Sequence, residues 1–142
     1  MLINYINCLE YQNFKGQLLI GDSSKKKHLI KIKNFLNNNK FNFEINYHSM
    51  PNHLPHQCIS KLVKKIKYDY SMWICDDDLL VLSTVKRCIN FLEKNPNYSG
   101  AGGKTLFVHI KNKNLTAITN YQLESLNNSS SLSRVKKLSG KY

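Results

Sequence analysis

The chain has 142 residues, which fits one domain at most, and 42% of them are hydrophobic, enough for a core and too many for a disordered protein. Its formal charge of +12 favours an anionic partner such as nucleic acid, a membrane surface or a phosphorylated substrate. Lysines are spread through every segment, so charge alone does not choose among these partners.

The first half of the chain predicts an alternation of helices and strands. Apolar residues recur at helical spacing over residues 2–9, and residues 17–20 form an apolar run typical of a buried strand. A helix is predicted over residues 24–36, followed by residues 41–47, where apolar and polar side chains alternate as in an edge strand. Another helix is expected to begin at Pro55, a residue suited to a first helical turn.

The second half continues the alternation. Residues 70–75 predict a strand, a helix is expected to begin near Ser83, and residues 105–108 predict a further strand. A helix is expected over residues 116–126. Because parallel strands need crossover helices, the order predicts an α/β fold, a three-layer sandwich with a mainly parallel sheet.

Three adjacent carboxylates, Asp76, Asp77 and Asp78, follow directly after the predicted strand 70–75. Such carboxylates repel one another, and a fold that keeps them together usually neutralises them with a cation. Their hard oxygen atoms suit Mg²⁺ or Mn²⁺, whose open positions are typically filled by phosphate oxygens. A solvated acidic turn at the start of the next helix is the alternative interpretation.

A second polar turn, Gly21-Asp22-Ser23-Ser24, follows the predicted strand 17–20. Ligands of parallel α/β sheets bind beyond the carboxyl ends of the strands, where both turns would then lie. We therefore expect Asp22 to accept hydrogen bonds from a ribose or base while the aspartate triplet holds a metal ion and a diphosphate.

These features together resemble the nucleotide-sugar half of family 2-like glycosyltransferases of the GT-A fold, in a bacterial subset of that family. The residues that carry the resemblance are Leu19-Ile20-Gly21-Asp22-Ser23-Ser24, Trp73-Ile74-Cys75-Asp76-Asp77-Asp78 and Asn95-Pro96-Asn97-Tyr98-Ser99-Gly100. The resemblance implies a truncated, Rossmann-like GT-A donor-binding domain over residues 1–112. Residues 113–142 would then be a partial acceptor-side segment or a tail.

The resemblance also implies roles for individual residues. Asp22 and Ser23 would contact the nucleoside, Asp76 and Asp77 the nucleotide sugar, and Asp78 would bind Mn²⁺ or Mg²⁺ directly. Asp76 would contact the ribose or the metal ion with its water shell. The implied reaction transfers a sugar from a nucleoside-diphosphate sugar, a UDP-sugar in the first instance, to a hydroxyl of a glycan or lipid-linked acceptor.

The chain departs from that family in two ways. It begins after the point where the family's first strand is expected, and it has few acids downstream of the triplet. Glu124 is the remaining candidate for the base that would take the acceptor proton, since Glu93 falls at the end of a predicted surface helix. We therefore expect a fragment that binds the donor poorly and transfers no sugar.

Two other functions compete with this interpretation. A basic nucleic-acid-binding protein fits the charge, but the aromatic residues occupy predicted core positions and leave no evident platform for stacking bases. A phosphatase of the haloacid-dehalogenase type also uses two aspartates after a strand. Leu80, where that motif needs a small hydroxylic or β-branched residue, and the late position of the triplet count against it.

The cysteines and the hydropathy pattern bear on location. The four cysteines show no Cys-x-x-Cys spacing, which favours a reducing, cytoplasmic setting. No apolar run is long enough to cross a bilayer. Membrane contact is expected to be peripheral at most, at the inner face.

Overall fold

The structure is a computed structural model that describes residues 1–111, 114–121, 127, 130 and 132–134. The helices are α1 (Leu2–Tyr11), α2 (Lys26–Asn38), α3 (Pro55–Leu62), with a 3-10 turn at Val63–Lys65, and α4 (Leu82–Lys94). The strands are β1 (Gln17–Asp22), β2 (Glu44–Ser49), β3 (Thr105–Lys111) and β4 (Asn114–Tyr121). Among these described helices, none combines the length and hydropathy needed to cross a membrane.

The described residues form a mixed α/β fold with a small parallel sheet, as the order of the predicted elements indicated. They divide into two compact units, Met1–Leu82 and Ser83–Tyr142. In the first unit, β1 and β2 pair in parallel from Gln17 opposite Glu44 to Asp22 opposite Ser49. α2 supplies the crossover that parallel neighbours require.

The core of the first unit lies between α1 and one face of β1. Tyr5, Ile6 and Leu9 are buried on one side of α1, at the spacing that gives a helix a single apolar face. Partly buried hydrophobic residues pack against the cluster formed by Tyr5, Leu9 and Leu82: Phe14, Leu18, Phe43, Ile74 and Leu80. Burial of these side chains fixes α1 against the sheet.

Residues 70–75 form no strand, although the sequence predicted one. A strand needs a neighbouring backbone for its hydrogen bonds, and neither β1 nor β2 pairs with this segment. Ile74 packs against the buried cluster, whereas Met72 is 60% exposed and Trp73 is 69% exposed. The prediction of a buried strand over residues 70–75 was therefore wrong. Of Met72, Trp73 and Ile74, only Ile74 joins the core.

The second unit contains a hairpin. α4 begins at Leu82, one residue before the predicted position, and β3 contains the predicted strand 105–108. β3 pairs antiparallel with β4, with a register irregularity between His109 and Ile110. The predicted helix 116–126 is wrong over residues 116–121, which belong to β4, where three β-branched residues favour a strand. Residues 122–126 lie outside the described part of the chain.

Gly21 allows α3 to approach β1 on the face opposite α1. A Cβ atom at Gly21 would lie 3.1 Å from both the Cβ of Cys58 and the Cδ1 of Leu62. We predict that Gly21→Val lowers the free energy of unfolding by about 2 kcal/mol, because the added methyl groups force the helix away from the strand. Denaturant unfolding measures this loss.

Gly100→Val is the matched control, since no atom lies within 4 Å of a Cβ built at Gly100. Its stability is expected to stay within about 0.5 kcal/mol of the native chain. Equal stability of the Gly21 and Gly100 variants would contradict close packing of α3 on β1.

Candidate functional site

Asp22 ends β1 in a buried position, with 9% of its surface exposed. Its Oδ1 accepts a hydrogen bond from the backbone N–H of Ser24 at 2.8 Å, and its Oδ2 accepts one from the Tyr47 hydroxyl at 2.9 Å. The first bond closes the turn after β1, so α2 starts at Lys26 rather than at the predicted Ser24. The second ties the ends of β1 and β2 together. Each carboxylate oxygen retains a further lone pair for a ligand.

Ser23 lies beside an open pocket at the carboxyl ends of β1 and β2. The pocket has a volume of about 430 Å³ and is lined by Ser23, Ser24, Lys25, Leu29, Pro51 and Asn52. Hydroxyl, amide and ammonium groups are suited to the oxygen atoms of an anionic ligand. The lining includes Ser23, one of the two residues predicted to contact the nucleoside, but not Asp22.

The aspartate triplet is exposed in a turn, where the N–H of Asp78 donates to the carbonyl of Cys75 at 3.3 Å. Cys75, Asp77 and Asp78 each offer a ligand atom, and these atoms all lie within 4.8 Å of one another. Asp76 is not in this group among the described residues. The grouping places two carboxylates where one cation could neutralise both.

Cys75 was not predicted as a member of the site. It lies at the end of the segment predicted as a strand, and the structure leaves it exposed. Its position directly before the aspartates is the sequence signal that could have identified it. The sulfur atom of Cys75 adds a soft ligand atom to a set that otherwise suits Mn²⁺ or Mg²⁺.

The side chain of Gln12 anchors the chain just after the acidic group. Its Nε2 donates to the carbonyl of Leu80 at 2.6 Å, and its Oε1 accepts the N–H of Leu82 at 3.0 Å. One amide therefore satisfies two backbone groups two residues apart, as a neighbouring strand would. This contact joins the end of α1 to the segment that carries Asp77 and Asp78.

Gln17 makes a similar contact at the start of the same segment. Its Oε1 accepts the N–H of Lys67 at 3.3 Å, and its Nε2 donates to Asn46 Oδ1 at 2.8 Å. Lys67 also forms an ion pair with Glu44, with 2.6 Å between Nζ and Oε1, which lowers the pKa of the Glu44 carboxyl. The two ends of the segment 67–82 are thus fixed by glutamine side chains, one from β1 and one from the end of α1.

The structure does not join Asp22 to the aspartate triplet directly. Within the described residues, the side chain of Asp22 accepts hydrogen bonds from Ser24 and Tyr47, and the group of metal-ligating side chains does not include Asp22. Binding of one nucleotide by both Asp22 and the triplet stays a prediction. Such a nucleotide would have to bridge the two features. Glu124, the candidate base, lies outside the described residues.

Comparisons of the chain with protein-family models, curated proteins and solved structures gave no match. Function must therefore be inferred from the residues and their geometry, above all from the acidic group and the Asp22 turn.

Two phenols near these features have raised pKa values. Burial raises the pKa of Tyr5 to about 12, with smaller contributions from Cys8 and Asp78. Burial also raises the pKa of Tyr47, and the hydrogen bond to Asp22 adds to the effect because it would place a phenolate against a carboxylate. Both phenols are protonated across the neutral pH range.

We predict that Gln12→Ala lowers the free energy of unfolding by about 1 to 2 kcal/mol, because the backbone groups of Leu80 and Leu82 lose their partner. Asn37→Ala, which removes an exposed amide from α2, is the control and is expected to change stability by less than about 0.5 kcal/mol. Denaturant titration compares the two. A Gln12 variant as stable as the control would show that the amide does not anchor the segment.

We predict that alkaline pH destabilises the first unit through Tyr5 and Tyr47. Because their pKa values are higher in the folded chain, their contribution to stability is complete below about pH 10 and is lost as pH rises through the folded-state values. Between its unfolded-state and folded-state pKa values, each phenol should lower the free energy of unfolding by about 1.4 kcal/mol per pH unit. Unfolding measured between pH 8 and 12, roughly the range of tyrosine titration, tests this.

Tyr47→Phe should weaken this pH dependence, whereas Tyr11→Phe, which changes a phenol that is 91% exposed, should leave it unchanged. Comparison of variants at the same pH removes the common effect of lysine titration. The same pH dependence of stability in the Tyr47 variant as in the native chain would contradict the partly buried, hydrogen-bonded state of this phenol.

Proposed function

We propose that this chain binds a nucleoside-diphosphate sugar together with Mn²⁺ or Mg²⁺, as the donor-binding part of a family 2-like glycosyltransferase of the GT-A fold. The observation that carries the proposal is the group formed by Cys75, Asp77 and Asp78, whose ligand atoms lie within 4.8 Å of one another. A phosphate-bearing ligand fits a metal ion that a protein holds by only two or three groups.

The residues of this group fit a divalent cation. Asp77 and Asp78 would supply the two carboxylate oxygens that hold it, and the anchor from Gln12 keeps the following backbone in place. A bound cation would stabilise the negative charge that develops on the diphosphate as the sugar is transferred. Asp76 would contact the ribose or metal-bound water.

The Asp22 turn supports the nucleoside end of the same proposal. Asp22 is fixed by Tyr47 and by the N–H of Ser24, so its free lone pairs have a set direction. Ser23 and Lys25 line the adjacent pocket of about 430 Å³, a volume within the range of small-molecule sites. The hydroxyl of Ser23 would orient the ribose or base, and the ammonium group of Lys25 would attract the diphosphate.

We propose that the first unit is a truncated, three-layer GT-A core of the Rossmann-like kind. Contacts of α1 with Leu18 and of α3 with Gly21, on opposite faces of β1, support this proposal. A further strand beside β1 would extend the two-stranded sheet toward that architecture.

Transfer of the sugar requires more than donor binding. The acceptor, a glycan or lipid-linked hydroxyl, must lose a proton to a base, and Glu124 is the sequence candidate for that role. The four cysteines are free thiols, which supports a cytoplasmic location, with any membrane contact at the inner face.

We predict that UDP binds to the chain in the presence of Mn²⁺ and that a chelator removes this binding. Asp78→Ala should weaken metal-dependent UDP binding by at least about 100-fold, because it removes a direct ligand from a site that has few. Isothermal titration calorimetry with and without chelator measures both effects. Equal affinity under the two conditions would exclude the metal-dependent site.

Asp69→Ala is the matched control, since it removes the same charge from an exposed aspartate outside the ligand group. Cys75→Ser tests which metal ion the site prefers. UDP binding with Mn²⁺ should survive this change, whereas loss of UDP binding measured with Zn²⁺ would identify a site for a softer ion. DNA binding that weakens steeply with salt, together with indifference to UDP and Mn²⁺, would favour the nucleic-acid-binding alternative.

A further inference from the structure

A second pocket, called here the aromatic pocket, lies between α2 and β2 in the first unit. Its volume is about 390 Å³, which is within the range of small-molecule sites. It shares no lining residue with the pocket beside Ser23. Its lining comes from one helix and from the chain that leads into and along one strand: Lys33, Leu36 and Asn37 of α2, and Phe41, Phe43, Ile45 and Tyr47.

The β2 side of the aromatic pocket is apolar and braced by ring contacts. Its four residues alternate in the sequence, as side chains on one face of a strand do. The ring centroids of Phe41 and Phe43 are 5.9 Å apart, and each ring also contacts another, Phe35 at 5.7 Å and Phe14 at 5.2 Å. Because these rings hold one another, the aromatic wall needs little ordering when a ligand binds.

The α2 side of the pocket is polar at its rim. Ile32 is buried, whereas Lys33 and Asn37, one turn apart on the flank of the helix, are exposed and line the pocket. Apolar residues at these two positions would bury more surface against β2. An ammonium group and a carboxamide face an aromatic wall instead. An apolar lining with a few placed polar groups is the usual composition of a small-molecule site.

The charges around the aromatic pocket favour one anionic group on its ligand. Lys33 is the charged residue of the lining, and Lys40 is exposed directly before Phe41. Three carboxylates near β2 each have a partner: Glu10 with Asn42, Glu44 with Lys67, and Asp22 with Tyr47. The charge of Asp22 disfavours an anion at the Tyr47 hydroxyl. The anionic group of a ligand therefore belongs beside Lys33.

We propose that the aromatic pocket binds an aromatic carboxylate, with its ring against Phe41 and Phe43 and its carboxylate at Lys33 and Asn37. Aromatic rings gain from offset or edge-to-face contact beyond the burial of their area, which favours a flat ring over an alkyl chain. The ammonium and amide groups can both donate hydrogen bonds to a carboxylate. This site requires neither a metal ion nor a nucleotide, so it is independent of the proposed nucleotide-sugar site.

The naphthalene acid 2-naphthoate provides the probe, and 2-naphthamide is its uncharged counterpart. Added to the full chain without nucleotide or metal ion, 2-naphthoate should bind with a Kd below about 1 mM. Amide chemical shifts measured by NMR should change most over residues 33–37 and 41–47. The amide 2-naphthamide should bind about threefold more weakly, because an ion pair at an exposed lysine contributes modestly.

Two variants at exposed positions test the polar rim without changing the core. Lys33→Met should lower the affinity for 2-naphthoate to that for 2-naphthamide. Lys31→Met, which removes the same charge from an exposed position outside the lining, should leave the preference intact. Asn37→Trp should fill the pocket and weaken the binding of both compounds by at least about tenfold, whereas Asn34→Trp, outside the lining, should have no effect.

Three results would overturn the proposal. Unchanged shifts over residues 33–47 at about 10 mM 2-naphthoate would show that the pocket holds only solvent. Equal binding of octanoate, an aliphatic carboxylate, would show that the aromatic wall does not select rings. A preference for the charged compound that persists in the Lys33 variant would place the carboxylate at another lysine. UDP binding with Mn²⁺ would be unaffected by any of these results.

Discussion

β1 is covered on both faces but, among the described residues, hydrogen-bonded along one edge. α1 packs against Leu18 on one face and α3 approaches Gly21 on the other, while four of the six residues of β1 stay only partly buried. These contacts hold the carboxyl end of β1, where Ile20 and Asp22 are its two buried residues. The position of Asp22 in the proposed site is thus a consequence of this packing.

The segment 67–82 is held by side chains, because neither β1 nor β2 pairs with its backbone. Gln17 and Gln12 bind its backbone near its two ends, and Ile74 supplies the apolar contact between them. Side-chain amides can do this because each carries both a donor and an acceptor. The acidic group is consequently attached to the end of α1, rather than to the end of a paired strand.

Local patterns predicted the first three helices and the two strands β1 and β2. The helical spacing around Tyr5, the apolar run before Asp22 and the proline at position 55 gave the correct elements to within a few residues. The strand predicted over residues 70–75 was wrong because a strand depends on a neighbour that periodicity does not reveal. The helix predicted over residues 116–126 was wrong over the residues of β4, where β-branched side chains outweighed an approximate helical spacing.

The site was predictable in composition but not in its contacts. The aspartate run and the turn at Asp22 were visible in the sequence, whereas the bond from Tyr47 depends on the parallel register of two strands. The anchor at Gln12 joins residues 68 positions apart, and nothing in the local sequence marks it. Such long-range polar contacts follow from the fold and become visible only once the fold is known.

The anchor at Gln12 is uncharged, and this has a consequence for the behaviour of its segment in acid. A carboxamide neither gains nor loses a proton in mildly acidic solution, so its hydrogen bonds to the backbone of Leu80 and Leu82 should persist there. An anchor made by an ion pair would be lost once its carboxylate was protonated.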